Sequence, residues 1–328
     1  IALARNETML DVIYDPIKSQ MDSVDQKLNS LSYQNHSVMK MLLDQTIAIP
    51  GKRIRPALTL LVGKALQGEE EVITTMAAAI ELLHVASLIH DDMVDHADTR
   101  RGHPTVSKIW GNNAAVMFGD FVFASSAVYV CETNNVRVIK RFSETIQELS
   151  IGQIIESINS FNTKVTIEDY QERIYNKTAT LFRTATESGA ILSNVPEETI
   201  KSLISYGYNL GMAFQIMDDI LDFEGSEEVT GKPVGNDLLE GTVTLPTILL
   251  FQQLKRNDPV FSLFKDGQSD EARAKIVELI QSTSVLDQSH SIALQFCNVA
   301  RTDILKIPDS RERDSLVQLI NFGLERKS

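Results

Sequence analysis

The sequence of 328 residues contains only two cysteines, Cys131 and Cys297. Two cysteines are too few for a disulfide framework, and their spacing does not match that of metal ligands, so we expect a reducing compartment. Positive charge is also scarce, because 31 Lys and Arg stand against 44 Asp and Glu, for a net charge of -13. Proteins that bind nucleic acids need clustered, excess Lys and Arg. We therefore expect no nucleic-acid partner.

Long apolar runs and processing signals are missing as well. No uninterrupted apolar run reaches the roughly 18 residues that span a bilayer, and the N-terminus lacks a basic region followed by an apolar one. Pro/Gly/Ser-rich linkers and repeats of fixed period are also lacking. Hydrophobic residues still make up 43% of the chain, enough for a large core. These features predict one domain, residues 1–328, in a cytoplasmic protein that would associate with membranes only peripherally.

Apolar residues recur at helical spacing nearly everywhere, whereas the strict alternation of half-buried strands is rare. Asp15 followed by Pro16 predicts one helix start. Three others are indicated at Thr166, with Asp169 three positions later, at Pro196 and at Ser269. The pattern predicts an all-α protein, a single large helical bundle of about a dozen helices.

Two acidic runs with the spacing D-D-x-x-D are the strongest chemical signal. The first lies on a helical stretch predicted to begin near Met76, and the second has Gln215 on the same helix face. Carboxylates crowded on mostly apolar helices repel each other unless hard cations lie between them, and magnesium prefers oxygen ligands and substrate phosphates. One acidic cluster is usually a solvated helix face, but two of the same spacing favour a magnesium site. The candidate ligands are Asp91, Asp92, Asp95, Asp218, Asp219 and Asp222.

Basic residues follow each acidic run, as an anion held between the two signs would require. Arg100 and Arg101 follow the first run, and Lys232 follows the second. Arg offers forked contacts to phosphate oxygens, whereas Lys offers a compact charge. A third basic element stands at a predicted helix start, where the dipole also favours anions. Its candidate substrate-binding residues are Lys52, Arg53 and Arg55. Two phosphate sites predict two diphosphate substrates.

Between Gly51 and Pro246 these motifs resemble those of the trans-isoprenyl diphosphate synthases. They occur in family order as G-K-R-x-R-P, D-D-x-x-D-x-x-D-x-R-R-G, G-D-F, G-Q, K-T, F-Q-x-x-D-D-x-x-D and G-K-P-x-G-N-D. Each motif alone is weak, but the combination is highly specific. The resemblance implies the isoprenoid synthase fold, an all-α bundle around a central substrate cavity. It also implies a prenyltransferase that adds isopentenyl diphosphate units to an allylic diphosphate in the trans configuration.

The resemblance further implies roles for single residues. The six aspartates would hold three magnesium ions that bridge the allylic diphosphate, with Asp91 and Asp218 needed for catalysis. The residues implied to contact that diphosphate are Arg100, Lys177 and Lys232. Those implied to hold isopentenyl diphosphate are Lys52, Arg55, His84 and Arg101. Thr178 and Gln215 would face the developing allylic cation, and Gln153 would extend the same polar surface. Released pyrophosphate would accept the proton.

One position departs from the family pattern. Many members carry Lys where this chain has Thr242, so one expected contact to the diphosphate is missing. Large subunits of two-component heptaprenyl synthases share this feature. The resemblance therefore leaves two assemblies open, a homodimer and a heterodimer with a small regulatory subunit.

Product length is expected to depend on how far the hydrocarbon can extend below the metals. Ser87 lies one helical turn before Asp91, with Ala86 beside it, and small residues there leave a tunnel open. Such residues resemble those of the medium- and long-chain synthases, which implies hepta- to decaprenyl products from a farnesyl or geranylgeranyl primer, delivered to a membrane. Leu83 and Phe142 are further candidate tunnel-lining residues, although ordinary core packing would equally explain Phe142.

Four other functions share parts of this pattern. A terpene cyclase would share one aspartate-rich motif but would lack a basic site for a second diphosphate. A farnesyl or geranylgeranyl synthase would stop after fewer units. A phosphohydrolase with a His-Asp metal pair would use His84, His90, Asp91 and Asp95, yet it leaves the second acidic run unexplained. A non-enzymatic interaction subunit would not require both runs to be intact.

Overall fold

The computed structural model describes residues 9–31, 37–47, 51–225, 233–255, 257–265 and 270–325. Within these ranges the chain is mostly helical, and the β structure consists of one short antiparallel hairpin, β1 (Thr99–Arg100) with β2 (His103–Pro104). The prediction of an all-α protein is confirmed.

The helices of the first half precede the K-T motif. They are α1 (Lys18–Asn29), α2 (Ser37–Ile47), α3 (Ile54–Ala65), α4 (Glu70–Val94), α5 (Val106–Trp110), α6 (Asn112–Glu132), α7 (Val136–Ile158) and α8 (Ile167–Ile174). A π-helical turn, Tyr175–Ala179, joins α8 directly to the next helix. The remaining helices are α9 (Thr180–Leu192), α10 (Glu197–Glu224), α11 (Asn236–Leu239), α12 (Leu245–Gln253), α13 (Pro259–Lys265), α14 (Asp270–Ser282), α15 (Val285–Ile304) and α16 (Arg311–Glu325).

Two long helices, α4 and α10, form the centre of the bundle. Helix α4 packs against α3 and α6, and α10 packs against α9 and α15. Apolar residues cover most sides of α4, including Met76, Ile80 and Leu83, which are almost completely buried. A helix that is apolar all round belongs in the interior of a fold. Both helices carry a D-D-x-x-D run in their last turns, so the two runs lie at helix C-termini.

The expected helix starts have different outcomes, and the one at Ser269 lies outside the described residues. Thr166 and Asp169 form a reciprocal capping box at the start of α8, and Pro196 is the N-cap of α10, so both predictions are confirmed. The predicted start at Asp15 is wrong, because residues 9–14 are already helical and continue through a 3-10 turn, Asp15–Ile17, into α1. Helix α4 begins at Glu70, six residues before the expected Met76, because Glu70 and Glu71 occupy its first turn.

Helices α4 and α6 are long and apolar enough to cross a membrane by length and composition alone. The most apolar window of α4 is 78% buried inside the protein, as expected of a core helix, whereas that of α6 is 39% buried. Helix α6 presents Met117 and Val128 to the surface, with 64% and 58% of their areas exposed.

Candidate active site

The three aspartates of the first run stand at the end of α4, and each of them lines a different cavity. Asp91 lines a cavity of about 300 Å³, which we call the tail cavity. Asp92 lines a smaller one of about 60 Å³, the arginine cavity, and Asp95 lines a third of about 110 Å³, the acidic cavity. The helix dipole is negative at this end and adds to the carboxylate charge. Both effects favour a cation beside Asp91 and Asp95.

The acidic cavity brings the two D-D-x-x-D runs together. Asp95 comes from the first run and Asp219 from the second, and Lys177 and Gln215 lie on the same wall. Burial raises the pKa of Asp219 to about 6, and it raises that of Asp91 to about 6 although Lys177 opposes the rise. The pKa of Asp95 is raised in the same direction by partial burial. Ionised carboxylates are therefore disfavoured in the metal-free protein, which is the condition that a bound hard cation would relieve.

A chain of hydrogen bonds crosses from the K-T motif to the second acidic run. Thr178 Oγ1 donates to Gln215 Oε1 at 2.6 Å, and Gln215 Nε2 donates to Asp219 Oδ1 at 2.8 Å. Tyr170 Oη donates to the other oxygen of Asp219 at 2.7 Å. Since the Thr178 proton is engaged by Gln215, the lone pairs of the Thr178 hydroxyl remain as acceptors for developing positive charge.

Lys177 lies on the π-helical turn and lines both the tail cavity and the acidic cavity. Its ammonium pairs with Glu156 of α7. Burial alone would lower the pKa of Lys177, but Glu156, Asp91 and Asp95 raise it above its ordinary value. Gly152 makes this geometry possible, because a Cβ there would lie 2.8 Å from the backbone nitrogen of Lys177. Extra residues in a helical turn often mark functional sites.

The arginine cavity is bordered by the basic pair that follows the first acidic run. Arg100 holds Asp92 with both carboxylate oxygens engaged, at 2.7 and 2.9 Å from Nε. Arg101 borders the same cavity and lies against Gly51, where an added Cβ would be 2.6 Å from its Nη1. The G-K-R-x-R-P and R-R-G motifs, fifty residues apart in the chain, are therefore adjacent in space.

The three cationic side chains of the G-K-R-x-R-P element contact different partners. Lys52 is exposed, with its Nζ 5.6 Å from the centre of the Phe322 ring. Arg53 lies on the wall of the arginine cavity but pairs with Glu81 at 2.6 Å. Arg55 contacts His84 Nε2 at 3.1 Å. Burial, followed by Arg55, lowers the pKa of His84 well below its ordinary value, so the imidazole is neutral at pH 7.

The tail cavity is lined mainly by apolar side chains below Asp91. Leu83 and Ser87 of α4 face it, together with Phe123, Ile146 and Leu149 from α6 and α7. Gln153 also lines it, and its buried Oε1 accepts no hydrogen bond from the described residues. Of the four expected chain-length residues, Leu83 and Ser87 line this cavity. Ala86 and Phe142 instead pack in the core, where both are almost completely buried.

The rest of the second acidic run is held close to the protein backbone. Asp222 accepts hydrogen bonds from the backbone nitrogens of Asn236 and Asp237 at 3.1 and 3.2 Å, and so fixes the start of α11. Asp218 is half-buried one turn before Asp222. Lys232, expected to contact the allylic diphosphate, lies outside the described residues.

Four residues of the acidic cavity and its surroundings were missed by the sequence reasoning. They are Glu156, Tyr170, Arg173 and Asp237. Two carry a signal in hindsight, since Glu156 stands three positions after Gln153 on one helix face and Asp237 ends the G-N-D motif. Tyr170 and Arg173 carry none, because their roles depend on contacts between helices.

The described part of the chain does not support a His-Asp metal pair. His84 faces Arg55, whereas His90 points to α6, 3.5 Å from Asp120. Among the described residues no three His, Cys, Asp or Glu side chains converge closely enough to hold a metal by themselves. Magnesium commonly takes one or two carboxylates and completes its shell with water and substrate phosphates. The carboxylates present therefore fit magnesium shared with a diphosphate, and they do not fit a closed transition-metal site.

Comparison with known proteins decides the family. The polyprenyl synthetase family profile matches residues 36–282. The chain belongs to the polyprenyl synthetase family. Heptaprenyl diphosphate synthase component 2 of Bacillus subtilis is 31% identical over 322 residues, which cover 98% of this chain and 92% of that protein.

Solved structures of family members share the fold. A decaprenyl diphosphate synthase from Rhodobacter capsulatus superimposes with a TM-score of 0.91 at 30% identity, covering 96% of this chain and 98% of that one. A polyprenyl synthase from Caulobacter crescentus, complexed with calcium and isoprenyl diphosphate, gives a TM-score of 0.90 at 30% identity, with 97% and 98% covered. The expected resemblance, fold and prenyltransferase class are confirmed. This polyprenyl synthetase is of the medium- and long-chain type.

Proposed function

We propose that this polyprenyl synthetase condenses isopentenyl diphosphate repeatedly with a farnesyl or geranylgeranyl primer, giving a hepta- to decaprenyl diphosphate. The observation that carries the proposal is the position of Lys177, which lines the tail cavity and the acidic cavity at once. An allylic diphosphate has an apolar tail and a charged head. The two cavities offer complementary surroundings for these parts, with the scissile bond beside Lys177.

A second diphosphate would bind in and around the arginine cavity. Arg101 borders this cavity, and Arg55 lies within hydrogen-bonding distance of His84 on its wall. Neutral His84 can only accept from the Arg55 guanidinium through its Nε2, so the charge of Arg55 persists for an anion. The apolar residues Val85, Leu88 and Ile89 complete the wall and suit the short hydrocarbon of isopentenyl diphosphate.

Family members depend on magnesium, and the residues at the end of α4 and α10 fit it. Asp91 and Asp95 would hold it from the first run and Asp218 and Asp219 from the second, with three ions expected once substrate is bound. Magnesium, when bound, would neutralise the diphosphate and assist its departure. Arg100 and Lys177 would supply further positive charge, the first from its pair with Asp92 and the second from its pair with Glu156.

The chemistry that the chain's own residues support is ionisation followed by condensation. As the bond from the allylic carbon to the diphosphate oxygen breaks, the oxygens of Thr178, Gln215 and Gln153 can stabilise the cation without forming a bond to it. The double bond of isopentenyl diphosphate then forms the new carbon-carbon bond, and a proton is lost. His84 is a poor base for that proton because its lowered pKa reflects burial and cationic neighbours. Pyrophosphate is the better acceptor.

The tail cavity suits a growing chain that eventually leaves it. A ring of six carbons fits a cavity of about 150 Å³, so about 300 Å³ holds roughly two isoprene units. Ile154 lines this cavity and is 56% exposed, so the cavity opens at α7. Ile151 and Ile158 continue an exposed apolar strip on that helix face. The strip supports release of a long tail towards a membrane from a cytoplasmic enzyme.

Two assemblies remain proposals. The exposed apolar residues Met117 and Val128 on α6 favour a homodimer through that helix. The Bacillus subtilis relative is named as a component, which favours a second, different subunit. Light scattering on the purified chain, with and without candidate partners, distinguishes the two.

One assay tests the proposed function. The purified chain is incubated with magnesium, radiolabelled isopentenyl diphosphate and either farnesyl or geranylgeranyl diphosphate, and the dephosphorylated products are separated by size. We expect a series of prenyl alcohols whose longest member lies between heptaprenol and decaprenol, and no product after chelation of magnesium. A cyclic hydrocarbon formed without isopentenyl diphosphate would identify a terpene cyclase instead. Products that stop at farnesol or geranylgeraniol would identify a short-chain synthase.

A further inference from the structure

Arg173 is a buried cation on the wall of the acidic cavity. It belongs to α8, seven per cent of its surface is exposed, and it lines the cavity beside Thr242. Its Nη2 donates to the backbone oxygen of Val243 at 3.2 Å, so the guanidinium lies directly against the residue that follows Thr242. A buried charge is costly unless it is paired or used.

The charges around Arg173 favour a role with an anionic ligand. Glu156 faces Arg173 with Oε2 3.7 Å from Nη1, which is longer than a hydrogen bond. A guanidinium has five N–H donors in a planar fork that matches phosphate oxygens. The contacts with Val243 and Glu156 therefore leave Arg173 with capacity for a phosphate.

The neighbouring position explains why such a cation is needed here. The family pattern that this sequence resembles has Lys at the position of Thr242, whereas Thr242 lines the acidic cavity and supplies no charge to it. The backbone nitrogen of Thr242 donates to the backbone oxygen of Asp237 at 2.8 Å, so the segment is fixed against α11. The wall that lacks the usual Lys is thus the wall against which Arg173 packs.

We infer that Arg173 binds the diphosphate of the allylic substrate, in place of the Lys that Thr242 replaces. This inference rests on the proposed function, since it assigns a residue of the same site. Arg173 and Lys177 both pair with Glu156, and from there Arg173 would contact phosphate oxygens in the acidic cavity and would also hold the released pyrophosphate. Its contact with Val243 and its loose pair with Glu156 would preorganise the guanidinium before the substrate arrives.

The test measures binding of inorganic pyrophosphate with magnesium by calorimetry, together with both Michaelis constants. Arg173→Met should weaken pyrophosphate binding by about 10-fold or more, since a charge-assisted hydrogen bond is lost. The Michaelis constant for the allylic diphosphate should rise, and that for isopentenyl diphosphate should not. Arg173→Lys should retain most of the affinity. Adding Thr242→Lys to Arg173→Met should restore pyrophosphate binding.

Two variants keep the test decisive. Arg173→Gln can still donate to the Val243 oxygen but carries no charge, so it replaces Arg173→Met if that variant does not fold. Arg313→Met is the matched control, because Arg313 also donates to a backbone oxygen, that of Ile307, and pairs with a carboxylate, but lines none of the three cavities. It should leave pyrophosphate binding unchanged.

Unchanged pyrophosphate affinity in folded Arg173→Gln would overturn the inference. So would a loss of affinity that neither Arg173→Lys nor Thr242→Lys recovers, because a purely structural role would behave in that way. Failure of the proposed function has a different signature, in which the wild-type chain binds pyrophosphate but forms no elongated product.

Discussion

Thr178 Oγ1 donates a hydrogen bond of 2.6 Å to Gln215 Oε1, and this contact joins the π-helical turn to α10. The Gln215 amide is fixed in turn by its bond to Asp219. The contact therefore aligns two oxygens, those of Thr178 and Gln215, on one side of the site where the allylic cation would form. Preorganised dipoles of this kind act without reorganisation during the reaction.

Removing the Thr178 hydroxyl should affect the chemical step more than substrate binding. Thr178→Val keeps the shape but loses the oxygen, and we expect kcat to fall by about 10- to 100-fold, with little change in either Michaelis constant. Thr178→Ser should retain most activity because its hydroxyl can still donate to Gln215. Steady-state kinetics on the three proteins checks this. Equal activity of the Val variant and wild type would contradict a role for this oxygen.

The contact also illustrates which parts of the site the sequence could predict. Helical periodicity places Asp91 one turn from Asp95, and Gln215 one turn from Asp219, without knowledge of the fold. Spacing within one helix therefore predicts which side chains lie one turn apart. Periodicity could not predict the contact between Thr178 and Gln215, which are 37 residues apart, because it says nothing about which helices pack together. Only the family resemblance indicated that both side chains face the same site.

The parts that were missed depend on contacts between distant segments. Arg53 was grouped with Lys52 and Arg55, but Glu81 lies 28 residues later and neutralises it from α4. Arg173 reads as a charged residue in a short amphipathic helix, and its burial depends on α7 and the segment after α11. Phe142 was placed in the tunnel by distance along α7, yet its side chain faces the core instead.

The close approach of Gly51 to Arg101 predicts a specific effect on isopentenyl diphosphate. Gly51→Ala would place a Cβ 2.6 Å from Arg101 Nη1, so the guanidinium must move. Because its side chain is flexible, the fold should survive while the Michaelis constant for isopentenyl diphosphate rises by about 10-fold. Lys52→Ala should raise the same constant. Gly323→Ala is the matched control, since its Cβ would meet no atom within 4 Å. If only the Michaelis constant for the allylic diphosphate rose, the assignment of the two diphosphates to their sites would be reversed.

Burial of His84 predicts a dependence of stability on pH. Burial and Arg55 hold the pKa of His84 well below its ordinary value of about 6.5. Below about pH 6.5 the His84 imidazole binds a proton in the unfolded chain but not in the folded protein, and this proton stabilises the unfolded state. The free energy of unfolding is therefore unaffected by His84 at pH 7.5 and decreases as the pH falls. Between pH 7.5 and 5.5 the wild type should lose about 1 kcal/mol more stability than His84→Gln.

Urea denaturation at the two pH values measures this difference. His103→Gln serves as the control because it removes an imidazole that is exposed. Equal pH dependence of wild type and His84→Gln would show that folding does not lower the pKa of His84.

The raised pKa of Asp91 predicts opposite effects on stability and activity. Its carboxylate is disfavoured by burial, so Asp91→Asn should raise the melting temperature of the magnesium-free protein. The same change removes a metal ligand, and condensation should fall by about 1,000-fold or more. The thermal shift that magnesium with pyrophosphate produces in the wild type should shrink. Asp44→Asn, on the exposed face of α2, is the control. Asp218→Asn should reproduce the loss of activity, and normal turnover in either variant would remove that residue from the metal site.

Ser87 offers the sharpest test of how product length is set. It lines the tail cavity one helical turn below Asp91, opposite Phe123 and Ile146, and its hydroxyl donates only to the backbone oxygen of His84 among the described contacts. A benzene ring occupies about 150 Å³, so Ser87→Phe would fill about half of the cavity of about 300 Å³. Because Asp91 lies above this point and the arginine cavity, with His84, is lined by another face of α4, the first condensation should persist while later ones fail. We expect products of about four or five isoprene units, one more than the farnesyl or geranylgeranyl primer, with a loss of stability of about 1 to 3 kcal/mol from overpacking. Ser143→Phe, on the exposed face of α7, adds the same ring outside the cavity and should leave the product ladder unchanged. Chromatography of dephosphorylated products from the three proteins decides the matter, and a wild-type ladder from folded, active Ser87→Phe would mean that the tail runs along another path.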